Sequence, residues 1–250
     1  MLTHPTTAVL GPAATDTSVP RPWRWSQHWR DLLFVHWSVP VGRLHSSVPA
    51  GLEIDTWSGE AWVSAVAFRL ERVRLRWLPP FAPVSNFLEL NLRTYVCWRG
   101  EPAIYFLSIH ANSRLGVGLA RLLTPLPYRF APMRYDGADS VRQFRADHQT
   151  NASQPLFHAR FQARAAAEED VAVDSLDGWF LERYHAWTSG AHGQLYRMVA
   201  RHPRWRVQGV TANVTAPRLG DAWGVDLERK PDRCHFSTGV KALIEPFESW

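Results

Sequence analysis

Phe87-Leu88-Glu89-Leu90-Asn91-Leu92-Arg93-Thr94-Tyr95-Val96 alternates without interruption. Leu88, Leu90, Leu92, Thr94 and Val96 share one parity, and Glu89, Asn91, Arg93 and Tyr95 share the other. Successive side chains of a strand point to opposite faces, so this stretch reads as a β-strand with one apolar face and one that carries an acid, an amide, a fixed cation and a phenol. Neighbours on one face stand about 7 Å apart, so all four groups can meet one small molecule. Arg93 can clamp a carboxylate through two parallel hydrogen bonds, a buried Glu89 can exchange a proton, and Tyr95 can donate to a developing oxyanion. The plain alternative is a half-exposed strand whose Glu89 and Arg93 are solvated or paired with each other's neighbours. Alternation alone leaves the two readings level.

Upstream, Trp25, Trp29, Leu32 and Leu33 recur at helical spacing and predict a short amphipathic helix from Trp23, followed by a strand over Phe34–Val39 that Pro40 ends. Leu52 to Trp57 and Glu60 to Leu70 read as a hairpin about Ser58-Gly59, and Ala61, Trp62, Val63, Ala65, Val66, Ala67 and Phe68 are apolar on both parities, as in a strand covered on both sides. Pro79, Pro80 and Pro83 make residues 77–85 a connection. Downstream, a turn at 99–102 leads to a strand over 103–109. Asn112 is a candidate N-cap for a helix over 113–123, which Pro125 and Pro127 stop. Strands are expected over 129–135, 141–148, 155–164, 195–199, 205–215 and 239–246, with a helix from Asp174 or Ser175 through Trp187 on the spacing of Leu176, Trp179, Phe180 and Tyr184. Short strands with a few interspersed helices predict an α+β fold, mainly an antiparallel sheet that curls on itself.

At 250 residues, with 46% hydrophobic and 20% charged, the chain fits a globular protein with a substantial core. Residues 1–22, rich in Thr, Pro and Ala, read as a disordered N-terminal tail without signal-peptide character, ahead of a single domain over 23–250. No segment reaches the roughly 18 apolar residues of a membrane span, and a cytoplasmic protein with no membrane partner is expected. The net charge of +5 comes from scattered arginines, since Lys230 and Lys241 are the only lysines. With no basic tract, zinc-finger spacing or RNA-recognition signature, nucleic acid is not an expected partner. Cys97 and Cys234 are too few and too far apart for a disulfide framework or a metal pair, and Cys97 reads as a buried, inert thiol. The 11 histidines include His36, in an apolar strand, but no metal-ligand motif. No metal or cofactor is expected. No Gly-x-Ser-x-Gly elbow or phosphate loop is present, and Gly116 and Gly118 read as packing glycines.

Phe34-Val35-His36-Trp37, Val48-Pro49-Ala50-Gly51-Leu52-Glu53-Ile54-Asp55, Gly59-Glu60-Ala61-Trp62-Val63 and the alternating strand itself, with Ala120-Arg121, Leu126-Pro127-Tyr128 and Leu181-Glu182-Arg183-Tyr184, resemble the YqjF-like family of uncharacterised bacterial proteins, DUF2071. The resemblance covers the chain from about Trp23 onward. It implies a fold related to acetoacetate decarboxylase, in which antiparallel strands curl into a cone or barrel around a ligand cavity. Phe87-Leu88-Glu89 is similar to a motif whose glutamate helps form that superfamily's active site, which implies that Glu89 faces the cavity. The decarboxylases use a Pro-Lys-Lys segment for a Schiff base, and its counterpart here is Pro127-Tyr128-Arg129. A phenol cannot form an imine, so Schiff-base chemistry is not expected.

The leading expectation is therefore a cavity for a small organic anion or carbonyl compound. Glu89, Arg93 and Tyr95 are its candidate catalytic residues, and Asn91, Tyr128, Arg121 and His36 its candidate substrate-binding residues. The competing expectation is a non-catalytic interaction module whose aromatic-rich surface, drawn from 13 tryptophans, meets a protein partner. A cavity behind the loaded face separates the two.

Overall fold

The computed structural model describes residues 22–137, 141–149, 155–164, 167–190 and 193–250. The expected N-terminal tail lies, apart from residue 22, outside the described residues. In chain order the strands are β1 (Trp25–Val39), β2 (Glu53–Ile54), β3 (Ala61–Leu75), β4 (Phe87–Trp98), β5 (Glu101–Ala111), β6 (Tyr128–Phe130), β7 (Met133–Asp136), β8 (Arg142–Asp147), β9 (Pro155–Ala163), β10 (Glu169–Asp170), β11 (His185–Ser189), β12 (Leu195–Arg201), β13 (Arg206–Thr215), β14 (Arg233–Ile244) and β15 (Glu248–Ser249). Four helices interrupt them: α1 (Val41–Leu44), α2 (Ala82–Ser85), α3 (Arg114–Leu123) and α4 (Leu176–Leu181).

β1, β3, β4, β5, β11, β12 and β14 pair in that order, and β12 returns to β14 through Ala200 opposite Ile244 and Arg201 opposite Leu243, which closes a ring. Every pairing in the ring is antiparallel except β5 with β11. From β14 the sheet continues through β13, β9, β8 and β7, which fold over one side of the ring. The expected antiparallel sheet curling on itself is the observed architecture.

Closure buries β1, β3 and β4 on both faces. One set of their side chains, including Leu33, Val35, Ala65, Leu90 and Leu92, packs with Phe144, Phe157 and Phe161 of the second layer. The other set, including Phe34, Val66, Phe68 and Tyr95, points inside the ring with Phe106, Phe180 and Trp205. This explains why β3 is apolar on both parities from Ala61 to Phe68 apart from Ser64.

Several expectations change. The hairpin expected about Ser58-Gly59 is reduced to a bridge between Trp57 and Glu60, β2 pairing with β4 instead of β3, and the strand expected over 129–135 is divided into β6 and β7. Trp25 to Leu33 is strand, not helix: Asp31 takes a left-handed conformation with φ 52°, and the β1–β3 register shifts there. The bulge inverts the parity, so Trp29 and Leu32, three apart, share the inner face and imitate a helical spacing. The helix expected to run to Trp187 stops at Leu181, because Glu182 leaves helical geometry and its carboxylate accepts from the Trp205 backbone N–H (3.1 Å) and the Tyr184 hydroxyl. Trp187 lies instead on β11, in the outer core. Ser113, not Asn112, caps α3, its Oγ accepting from Gly116 N at 3.0 Å, while Asn112 Oδ1 accepts from Leu88 N at 2.8 Å and ties α3 to β4.

The bulge in β1 sets a requirement on β14. Gly239 pairs with Arg30 at φ +127°, and a Cβ there would sit 2.0 Å from the Trp29 carbonyl oxygen. Replacing Gly239 by Ala is expected to cost about 3 kcal/mol through strain and displaced backbone. Urea unfolding of Gly239→Ala checks it; a loss below roughly 0.5 kcal/mol shows that the bulge does not depend on this glycine.

Candidate functional site

Inside the ring lies a cavity of about 350 Å³ whose wall includes Glu89, Asn91 and Arg93 of β4. The β4 residues are there because their parity is the inner one, while Leu90, Leu92 and Val96 belong to the outer core. Most of the remaining wall is apolar and aromatic, with Trp29, Phe34, Phe68, Phe106, Ile109 and Trp205 prominent.

At one end of the polar row, Tyr128 O–H donates to Glu89 Oε2 at 2.8 Å, and the Asn91 amide also donates to the carboxylate. Burial nevertheless dominates and pushes Glu89 up to about 7, with the two hydrogen bonds opposing it. Tyr128 in turn is held well above the usual phenol range by burial and by the neighbouring carboxylate. Asn91 Oδ1 has no partner among the described residues. This end of the cavity therefore holds a carboxyl that changes state near neutrality and a spare acceptor beside it.

Two arginines stand at the other end. Four residues along a strand span roughly 13 Å, which separates the Arg93 backbone from that of Glu89. Arg93 forms no ion pair with a described carboxylate, and its Nε has no hydrogen-bond partner. Arg183, whose side chain is only 1% exposed, is paired through Nη1 with Asp55 Oδ2 at 2.7 Å and donates from Nε to the Trp179 carbonyl at 2.8 Å, which leaves Nη2 unpartnered. Burial, then repulsion from Arg183, lowers the pKa of Arg93, while Tyr95 opposes them. Arg93 is half-buried with its Nε shielded from solvent; a partly desolvated cation without a counter-ion is costly, and a bound anion would relieve that cost.

Tyr95 does not line the cavity but begins a buried polar chain behind it. Its hydroxyl is 2.6 Å from Ser64 Oγ, Ser64 Oγ is 2.6 Å from His36 Nδ1, His36 Nε2 is 3.3 Å from His235 Nδ1, and His235 Nε2 is 3.1 Å from Asp177 Oδ1. Arg93 can only donate and an ionised Asp177 can only accept, which favours donation from Tyr95 to Ser64, from Ser64 to His36 Nδ1 and from His36 Nε2–H to a neutral His235. Tyr95 Oη also lies 3.3 Å from His36 Nδ1 and can share that acceptor. Burial, then the neighbouring His235, Arg93 and Arg233, hold the His36 pKa well below its ordinary value, which keeps the ring neutral as this direction requires.

The site residues expected from sequence thus separate into layers. Glu89, Asn91, Arg93 and Tyr128 share the cavity wall; Tyr95 and His36 lie behind it. Arg121 is corrected: it is exposed, and its Nε donates to the Tyr128 carbonyl at 2.8 Å, fastening α3 to β6. Arg183 and His202 reach the wall without having been singled out as site residues. The Leu181-Glu182-Arg183-Tyr184 segment carried a signal for Arg183; His202, whose Nδ1 donates to the Pro203 carbonyl (2.8 Å) and which burial lowers to about 4, carried none. Both lysines are exposed and neither lines the cavity. Burial raises the Cys97 thiol and pushes Cys234 up to about 12.

A family model described as "uncharacterized conserved protein", DUF2071, matches residues 26–241. The chain belongs to this family. It is 36% identical to the uncharacterized protein YqjF of Bacillus subtilis over 228 residues, which is 91% of this chain and 93% of YqjF. Its fold is similar to that of acetoacetate decarboxylase from Legionella pneumophila (TM-score 0.67, 10% identity, 94% of this chain and 93% of that one). It is equally similar to that of the enduracididine biosynthesis enzyme MppR solved with pyruvate (TM-score 0.66, 10% identity, 94% and 93%). The DUF2071 chain therefore has the acetoacetate decarboxylase-like fold.

The raised pKa of Glu89 has a definite sign for stability. Between its ordinary 4.5 and about 7 the unfolded chain releases this proton and the folded protein keeps it, so stability falls as pH rises through that window. The loss is about 3 kcal/mol. Urea unfolding of wild type and Glu89→Gln from pH 4 to 8 is expected to show the variant gaining by that amount relative to wild type; parallel curves place Glu89 in an ordinary environment. A second check is spectroscopic: imidazole 15N NMR is expected to show His36 as a neutral Nε2–H tautomer, and an Nδ1–H tautomer reverses the chain.

Proposed function

We propose that this protein binds a small carboxylate with an apolar body inside the ring and acts on, or recognises, a polar group at the far end of that ligand. The carrying observation is the half-buried Arg93, whose Nε is buried and unpartnered and which faces the cavity without an anionic partner among the described residues. Arg93 receives the carboxylate, with the unpartnered Nη2 of Arg183 adding a second donor. Glu89, poised near neutrality, exchanges a proton with a carbonyl or an adjacent C–H at the other end, where Tyr128 and Asn91 hold the carboxyl in place. Between them the aromatic and aliphatic wall suits a short hydrocarbon chain.

The absence of a lysine along the wall sets this reading apart from Schiff-base chemistry, because imine formation needs a positioned amine. MppR, similar in fold, was solved with pyruvate, a 2-oxo carboxylate; that supports a carbonyl-bearing acid here only as a fold analogy.

Octanoate, 3-oxooctanoate and octanol serve as probes in thermal-shift titrations. Both acids are expected to raise Tm by several degrees at saturation, since a ligand at 100 times its Kd adds about 2.7 kcal/mol, while the alcohol gives less than half the shift. Arg93→Ala is expected to abolish the response to the acids. Equal responses to octanol and octanoate, or an unchanged response in a folded Arg93→Ala variant, would overturn the carboxylate reading.

A further inference from the structure

The polar row accounts for the interior, but the rim of the cavity is unlike the rest of the surface. Leu78 and Phe81, in the connection between β3 and α2, and Leu119 of α3 line the cavity yet stay exposed. Beside them Trp77 is 84%, Leu115 61% and Leu122 80% exposed. Leu115, Leu119 and Leu122 recur at i, i+4 and i+7, so α3 turns an apolar stripe outward, while its opposite side buries Gly116 and Val117. α2 packs on both β3 and α3, which joins the two groups into one patch around the opening. Such a contiguous apolar patch is unusual on a protein that meets only water.

The segments that carry the patch are rich in one sign of charge. Residues 72–88 and 102–135 hold seven arginines and no aspartate or glutamate, whereas the whole chain carries a net charge of only +5. Arg114 and Arg121 lie along one side of the leucine stripe on α3, against Phe130 and the Tyr128 carbonyl, while Arg74 and Arg76, at the end of β3, lie over Trp23, and Arg76 also over Trp77. None of these four has an ion-pair partner among the described residues.

We propose that this rim is a docking surface for a bilayer bearing anionic phospholipids, through which an amphipathic carboxylate passes between membrane and cavity. Leucine and aromatic side chains enter the interface while arginines meet the headgroup phosphates, the pattern of proteins that lie on a membrane without spanning it. No helix among the described residues is long and apolar enough to cross a membrane. This proposal departs, for this face, from the expectation of no membrane partner. A second copy of the chain fits less well: a two-fold contact here would set the arginine-rich segments against each other. The transfer half of the inference rests on the carboxylate reading of the cavity; the docking half does not.

The test is co-sedimentation of the full chain with phosphatidylcholine vesicles, with and without phosphatidylglycerol, alongside Leu115→Glu/Leu122→Glu, which leaves the cavity wall unaltered. Expected is binding that requires phosphatidylglycerol, weakens with salt, and falls roughly tenfold or more in the double variant, while the octanoate thermal shift and the melting curve of that variant stay as in wild type. Failure of wild type to bind, equal binding to both vesicle types, or undiminished binding by the double variant overturns the docking surface. A dimer on size exclusion that the double variant splits assigns the patch to a second copy and also overturns it. Loss of the octanoate response in wild type, with vesicle binding intact, removes the cavity reading and the transfer step but leaves the docking surface standing.

Discussion

Two residue pairs on β12 and β14, Ala200 with Ile244 and Arg201 with Leu243, turn an extended sheet into a ring. The chemistry of the site follows from that closure. On an open sheet the inner face of β4 would be wet, Glu89 would titrate as an ordinary carboxylate, and Arg93 would need no counter-ion. Closed and backed by the second layer, the same side chains stand in a medium where a charge without a partner is expensive. Glu89 responds by holding its proton to about 7, while Arg93, whose guanidinium cannot readily shed a proton, stays a cation. The interior thus combines a carboxyl that neutralises itself with a cation that cannot, and its balance favours an incoming anion.

The protein offers Arg93 a remote substitute for a counter-ion. Asp177, a third exposed, communicates with it through His235, His36, Ser64 and Tyr95. Each intermediate group has a donor to give and an acceptor to fill, so the chain orients its dipoles from cation to carboxylate. This holds Tyr95 with its lone pairs toward the guanidinium without placing a carboxylate against it. A direct salt bridge would occupy the fork that a ligand carboxylate needs; Arg183, already paired with Asp55, shows that arrangement next door. The contrast between the two arginines is why Arg93 carries the functional reading and Arg183 assists it.

Legibility in the sequence followed how local each determinant was. β4 was readable because its alternation is unbroken and its register against β3 runs without a shift, and β3 because a strand buried twice leaves an apolar run. β1 was not, since a single left-handed residue, Asp31, reverses the inside-outside assignment and makes a strand mimic a helix. The end of α4 was equally hidden: Glu182 stops it by accepting from Trp205, a partner 23 residues away that no local pattern announces. In the site, β4 supplied residues by parity, whereas the wall position of His202 and the outward position of Arg121 depend on chain crossings that periodicity does not encode. The family resemblance located Glu89 and the missing lysine; it did not distinguish wall from support among Tyr95, His36 and Arg121.

The rim and the interior share one logic. A cavity walled by Phe34, Phe68, Phe106 and Trp205 selects ligands that water holds weakly, and such ligands concentrate in or on lipid. An opening ringed by Leu78, Phe81 and Leu119 lowers the barrier for an apolar chain entering from that side, because the chain need not be fully hydrated in transit. In the proposed transfer the ligand's carboxylate would meet arginine at both ends of the path, on the rim segments outside and at Arg93 within. A rim suited only to dissolved metabolites would gain nothing from exposed tryptophan and leucine, and a purely apolar rim would draw no distinction between anionic and neutral surfaces. The pairing of the two, on the face where the cavity opens, is what joins the proposed docking surface to the proposed role of the interior.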